Sequence, residues 1–222
     1  PTFQDGVLSF GVDILSQQTF DKILKDVTSK HKLIGQNFYV GGFSIGGSCA
    51  IKYAENSTIK PTAVFAIDPP LDFERFYNSA KRDIRLSKGN EANQEFVYMI
   101  DRLEKETGGS PTTNLFEYYN LSPYSFSDTT QTAIKKLINM PLRIYSEPDI
   151  NWWLKERGAD LTSMNTTECS AMINELNRLG NPKAELITTQ NKGYRKRDNN
   201  RHPHSWSIVN NDELIEWLLK QK

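Results

Sequence analysis

The stretch from Phe38 to Ala54 constrains this chain more than any other. Phe38 to Val40 is a short apolar, aromatic run of the kind a buried strand shows. Gly42-Phe43-Ser44-Ile45-Gly46 fits the pattern G-x-S-x-G, and Ser48 to Ala54 supplies small residues with Ile51 and Tyr53, a helix pattern. Strand, sharp turn and helix together are the setting in which G-x-S-x-G forms a nucleophile elbow, with the Ser44 hydroxyl lifted above a sheet. In so tight a turn a side chain at Gly42 or Gly46 is expected to collide with the flanking strand or helix. The same turn sets free N–H groups of a helix N-terminus beneath an oxyanion. The competing reading is a glycine-rich turn that binds phosphate. Against it, no Gly-Lys-Ser/Thr follows and no acidic ribose partner is evident.

At 222 residues the chain suits one α/β domain, able to bury roughly 70% of its unfolded surface. With 27 basic and 27 acidic residues, no global field points to nucleic acid or an anionic membrane. No apolar run approaches the roughly 18 residues of a membrane span. A mean hydropathy of -0.58 suggests long surface loops. Cys49 and Cys169 make no disulfide framework and no metal pattern, and Cys49 is expected to be a small buried hydrophobe. No cofactor is implied. The chain begins at Pro1 rather than methionine, so a leader could have been removed. The compartment is therefore open, cytoplasmic or secreted, and so is the oligomeric state.

Along the chain, Gly6 to Gly11 reads as a short strand or turn, and Leu15 to Lys30 as a helix with Asp13 or Ser16 as its cap. His31 to Gln36 is a loop. Ala63 to Ile67, between Pro61 and Asp68-Pro69-Pro70, is the strand after the elbow. This order predicts a mostly parallel sheet with crossover helices on both faces. From Leu71 to Asn139 the rhythm changes to charged helices over Asp72–Leu86, Ala92–Lys105 and Thr130–Ile138, broken at Gly108 to Pro111. Leu115 to Phe126 is aromatic and shows no clear period. Strand character returns at Met140 to Ser146, then a helix over Asn165–Leu179, a strand over Ala184–Thr188 and a last helix over Asp212–Lys220. The chain thus divides into residues 1–70, a core part with the elbow; 71–139, a helical insertion over the sheet edge; and 140–222, a second core part.

A serine hydroxyl needs a base within hydrogen-bond reach, and the base needs a third group to fix its tautomer. His31 precedes the elbow strand, at the wrong end of a parallel sheet. His202 and His204 lie between the last strand and the last helix, at the carboxyl edge where Ser44 sits. His204 is preferred, because Ser205-Trp206 begins the ordered return, and His202 is the runner-up. For the acid, the end of the strand Leu142 to Ser146 favours Asp149, with Glu147 as a substitute. Asp68, which follows Ala63 to Ile67, is the competing acid, or else shapes the pocket floor.

The order Ser44, Asp149, His204 resembles the serine–acid–histidine order of the α/β-hydrolase fold. Gly42 to Gly46 is similar to its elbow, Ser146-Glu147-Pro148-Asp149 to its acid turn, and His204-Ser205-Trp206 to its histidine loop. The resemblance covers most of Phe38 to Lys222 and sets the insertion where that family carries its cap. It implies that Ser44 attacks a carbonyl, that His204 is base then acid, that Asp149 holds the imidazole, and that the Ile45 N–H is one oxyanion donor. The family's other donor lies in an early loop, often glycine-rich after a His. No His-Gly-Gly occurs among the 43 residues before Ser44, and the resemblance implies one to three further strands upstream. Phe43, Trp152, Trp153 and the aromatics of 115 to 126 are candidates to line an apolar substrate pocket, or else are packing. The basic run Lys192 to Arg201 either receives an acidic substrate group or is a solvated loop. The expected function is hydrolysis of an ester, thioester or small amide of a small acyl substrate; the alternative is a non-catalytic binding protein on the same fold.

Overall fold

A computed structural model describes residues 10–33, 35–86 and 92–221. Four strands form one sheet in the order β1 (Tyr39–Phe43), β2 (Ala63–Ile67), β3 (Leu142–Ser146), β4 (Ala184–Thr188), and every neighbouring pair is parallel. Parallel neighbours require crossovers. These are α2 (Ile45–Asn56) between β1 and β2, and α6 (Ile150–Arg157) with α7 (Thr166–Arg178) between β3 and β4. Helix α1 (Ile14–Lys30) precedes β1, capped by Asp13, whose carboxylate accepts from the Ser16 N–H at 2.9 Å. Helix α8 (Asn211–Lys220) ends the chain, capped by Asn210.

The sheet is apolar on both faces, which explains why its strands read as continuous rather than alternating runs. Val64, Ala66, Leu142 and Ile144 pack with Ala50, Ile51 and Ala54 of α2 and Cys169, Met172, Ile173 and Leu176 of α7. The alternate residues Ala63, Ile67 and Tyr145 pack on the other face against Leu214 and Trp217 of α8. Arg143, also on that face, lies over the Trp217 ring and pairs with Glu213 and Glu185.

Between β2 and β3 run α3 (Phe73–Leu86), α4 (Ala92–Thr107) and α5 (Pro111–Leu121). They share an apolar cluster of Phe73, Tyr77, Ala80, Ile100, Leu103, Tyr118 and Leu121, against which Phe10 and Ile45 also pack. The elbow is therefore in contact with this helical segment through the residue after Ser44. Buried Asp72 ties the segment down: its carboxylate accepts from the Arg75 N–H at 3.0 Å and the Phe126 N–H at 2.8 Å.

Two expectations change, and a third falls outside the described residues. The aperiodic stretch from Leu115 holds most of α5, which starts with Pro111 at its first turn, where a missing N–H costs nothing, and is kinked at Asn114. The helix expected over Thr130–Ile138 is only a 3-10 turn, Ile134–Leu137. Asp128 takes the Thr130 N–H and hydroxyl, and Gln131 has a left-handed φ of 55°, both of which oppose a helix there. Of the strand or turn expected over Gly6–Gly11, all but Phe10 and Gly11 lies outside the described residues.

The two elbow glycines differ. A Cβ at Gly42 would lie 2.3 Å from the Gly46 carbonyl carbon, whereas a Cβ at Gly46 would meet nothing within 4 Å. The collision expected at Gly46 does not occur, because a Cβ there would enter open space. Gly42→Ala should therefore lower stability by about 1–3 kcal/mol through overpacking, and Gly46→Ala should be neutral or stabilise by up to about 1 kcal/mol. Thermal melts of both variants check this, and equal losses would contradict it.

Candidate active site

Ser44 closes β1 and opens α2. Its backbone sits at φ 54°, ψ -130°, a region L-residues avoid, and its N–H is tied to the Ile67 carbonyl at 2.8 Å. Ser44 occupies the N-cap position without using its side chain to cap the helix. The hydroxyl instead faces His204, with Oγ 3.0 Å from Nε2. The other imidazole nitrogen, Nδ1, lies 2.7 Å from Oδ2 of Asp68. Facing a carboxylate, Nδ1 carries the proton and donates it, which leaves Nε2 as an acceptor for the serine proton.

The carboxylate on His204 is that of Asp68, whereas Asp149, the expected partner, lies elsewhere. The reason is register. Phe43 pairs with Ile67, so Ser44 and Asp68 each stand one residue beyond a matched pair on adjacent strands. β3 is one strand further away, and its last residue is already spent on the acid: Ser146 Oγ donates to Asp68 Oδ1 at 2.7 Å. Asp149 lies three residues beyond that, where it caps α6 by accepting from the Trp152 N–H at 3.0 Å and pairs with Arg201 at 2.7 Å. Glu147, the expected substitute, is buried and bonded to Thr189, Lys192, Gly193 and Arg201.

Asp68 is itself strained, with φ 45°. Aspartate tolerates this region better than most residues. Its backbone is held on both sides, the N–H by the Tyr145 carbonyl at 2.7 Å and the C=O by the Asn165 side-chain amide at 2.8 Å. The His204 side chain is 23% exposed and that of Asp68 10%, so the base is reachable from outside while the acid behind it is shielded. The sequence signal for Asp68 was a carboxylate at a strand's carboxyl end before Pro69-Pro70; what the sequence could not rank was its proximity to the elbow strand.

The runner-up, His202, faces the other way. Its Nδ1 donates to the His204 carbonyl at 2.9 Å, which leaves Nε2 to accept from Arg157 at 3.3 Å. Trp152 and Trp153, expected to line a substrate pocket, lie edge-on to this ring at 4.8 and 5.8 Å between centroids. They wall in His202. Phe43, the third expected pocket residue, lies against His204, the rings tilted by 37° with centroids 4.5 Å apart, and packs against the core cluster of that face. Lys192, Arg195, Lys196 and Arg197 are exposed, while Arg201 turns inward.

At the head of α2 the Ser44 carbonyl accepts from the Gly47 and Ser48 N–H groups at 2.8 and 3.3 Å. The Ile45 and Gly46 N–H groups have no partner among the described residues, as the first amides of a helix do. Cys49, expected to be buried, is partly exposed; its thiol donates to the Gly11 carbonyl at 3.2 Å, and burial of most of the sulfur pushes its pKa up to about 11. It is held as a thiol. Among the described residues no group of three or more His, Cys, Asp or Glu side chains is arranged to hold a metal, and no helix is long and apolar enough to cross a membrane.

The parallel sheet, the strained serine between strand and helix, and helices on both faces make this an α/β-hydrolase-like fold. No protein-family model matches the sequence, and no curated protein does. Solved structures are similar in outline. The crystal structure of VinJ shares 14% identity over 96% of this chain and 75% of that one, with a TM-score of 0.47. A putative lipase (lip1) from Acinetobacter baumannii AYE shares 17% identity over 99% of this chain and 70% of that one, at 0.43. MenH from S. aureus shares 15% identity over 99% and 78%, at 0.44.

His202 gives the site a pH signature. Burial, reinforced by the positive charge of Arg195, lowers its pKa to about 4 from the usual 6.5. The folded form thus binds fewer protons than the unfolded form between these values. The stability His202 contributes is fully present above pH 6.5 and is lost as pH falls toward 4, by at most about 3 kcal/mol. His202→Asn keeps a donor for the His204 carbonyl and cannot titrate. Melting temperatures from pH 7 to 4 should fall less steeply for the variant than for the parent, and parallel curves would assign the acid loss elsewhere.

Proposed function

We propose that this protein is a serine hydrolase that cleaves an ester, thioester or small amide of a small acyl substrate through an acyl-enzyme. The observation that carries the reading is the contact chain Ser44 Oγ–His204 Nε2–His204 Nδ1–Asp68, at 3.0 and 2.7 Å, on a strained elbow. As Ser44 Oγ attacks the substrate carbonyl, His204 Nε2 takes its proton. Asp68 stays ionised and stabilises the imidazolium that forms. The negative charge on the carbonyl oxygen is met by the Ile45 N–H at the head of α2, where the helix dipole adds to it. His204 then protonates the leaving group, and the acyl group remains on Ser44. Water, deprotonated by the same imidazole, releases the acid and returns the proton to the serine.

Within this reading Asp68 takes the role first expected of Asp149, and Phe43 steadies the imidazole rather than the substrate. Residues 71–139 act as a cap, supported by the packing of Ile45 against the cluster of α3, α4 and α5. The site is of carboxylesterase or peptidase-like type.

Intact-mass labelling with a fluorophosphonate tests the reading. One adduct is expected on the parent and none on Ser44→Ala. His204→Ala and Asp68→Asn should label slower by on the order of 10³–10⁴-fold, while Asp149→Asn stays within about tenfold of the parent. An unlabelled parent would leave a binding protein on a hydrolase-like fold. A large loss in Asp149→Asn with none in Asp68→Asn would reverse the assignment of the acid.

A further inference from the structure

The loop that carries His204 leaves β4 at Thr188 and crosses a long polar, basic run before it returns. A base on such a segment needs something to hold it to within a fraction of an ångström of its serine. The holding device is visible at the end of the neighbouring strand, β3. Glu147, just past β3, has a side chain that is 1% exposed. Its carboxylate accepts from the Thr189 hydroxyl at 2.9 Å and from the backbone N–H groups of Lys192 at 2.9 Å and Gly193 at 3.2 Å, all on the outgoing arm of the loop. Its counter-charge is Arg201, on the returning arm.

One guanidinium joins three groups. Arg201 Nη2 meets Glu147 Oε1 at 2.5 Å and Asp149 Oδ2 at 2.7 Å, and Nη1 donates to the Gly193 carbonyl at 2.7 Å. The His202 N–H donates to that same carbonyl at 2.9 Å, and Tyr194 and Arg201 face each other as an antiparallel bridge. The arms approach so closely that a Cβ at Gly193 would lie 2.4 Å from the His202 carbonyl oxygen. The His202 ring, walled in by Trp152 and Trp153, then holds the His204 carbonyl.

We propose that Arg201, clamped between Glu147 and Asp149, is the positioning residue for the general base: it closes the loop at Gly193 and thereby sets His204 on Ser44. This rests on the serine-hydrolase reading. Arg201 touches neither reacting atom, so it acts only through His204. The acidic turn after β3 serves the histidine loop rather than the imidazole.

Removing Arg201 outright would strand the buried charge of Glu147 and endanger the fold. The test therefore uses Arg201→Lys, which keeps the charge but lacks the fork needed to span both carboxylates and the Gly193 carbonyl, and Asp149→Asn, which keeps the α6 cap. Fluorophosphonate labelling rates and hydrolysis of p-nitrophenyl acetate are measured on the full chain, each variant alone and with His204→Ala. Arg201→Lys should slow labelling by about 10–100-fold and Asp149→Asn by about 3–10-fold, with the loss in kcat and KM little changed. Neither should slow the residual labelling once His204 is gone. An unlabelled parent would remove the hydrolase reading itself. A labelled parent with Arg201→Lys within twofold would overturn the positioning role alone, as would a loss of equal size in the His204→Ala background. If Arg201→Lys fails to melt cooperatively, Asp149→Asn decides: no loss overturns the proposal, and a loss that vanishes without His204 supports it.

Discussion

The site depends on the register of two parallel strands. β1 and β2 end level, with Phe43 opposite Ile67, so the next residue of each, Ser44 and Asp68, emerges at the same height one strand spacing apart. Both turn at once into a left-handed φ, 54° and 45°, which throws their side chains out of the sheet. Backbone bonds across the sheet fix each turn: Ser44 N–H to Ile67, Asp68 N–H to Tyr145. A one-residue slip between these strands would part the serine from the only geometry in which a single imidazole can bridge it to the carboxylate.

The strain at these two residues is opposed by packing on both faces of the sheet. α2 can follow Ser44 directly because Gly47 lets the helix lie close to β2, where a Cβ would stand 3.0 Å from that of Ala66. Ile51 and Ala54 then bury fully against the sheet. Burial of this kind outweighs the roughly 1–3 kcal/mol that an unfavourable backbone conformation costs. The acid is braced from a third direction, by Ser146 on β3 and Asn165 at the head of α7.

The histidine is the member held least by regular structure. It stands on a loop, and its place is set by polar contacts: buried Glu147 on the loop's backbone amides, Arg201 across its neck, and His202 on the His204 carbonyl. Such contacts are directional, so they fix orientation as well as distance, which an apolar contact would not. The basic run that looks from its composition like a plain solvated loop is solvated at Arg195 to Arg197 and structural at Arg201.

The sequence by itself determined most of the elements and the serine at the elbow. Ala63–Ile67 and Ala184–Thr188 could be read to the residue, because a strand buried on both faces is a short apolar run between breakers. Ser44 was legible because its turn needs a glycine at Gly42, and the loop of His202 and His204 because so few histidines occur and chain order sets His31 at the other end of the sheet. α5 was not legible, since its apolar residues face the helical cluster irregularly across a kink at Asn114. Nor was the choice between Asp68 and Asp149. Each is a carboxylate just past a strand, and sequence distance does not say which strand lies beside the elbow. Which of the two meets His204 was set by the tertiary structure through strand order and register, because a hydrogen bond of 2.7 Å reaches the adjacent strand and not the next one.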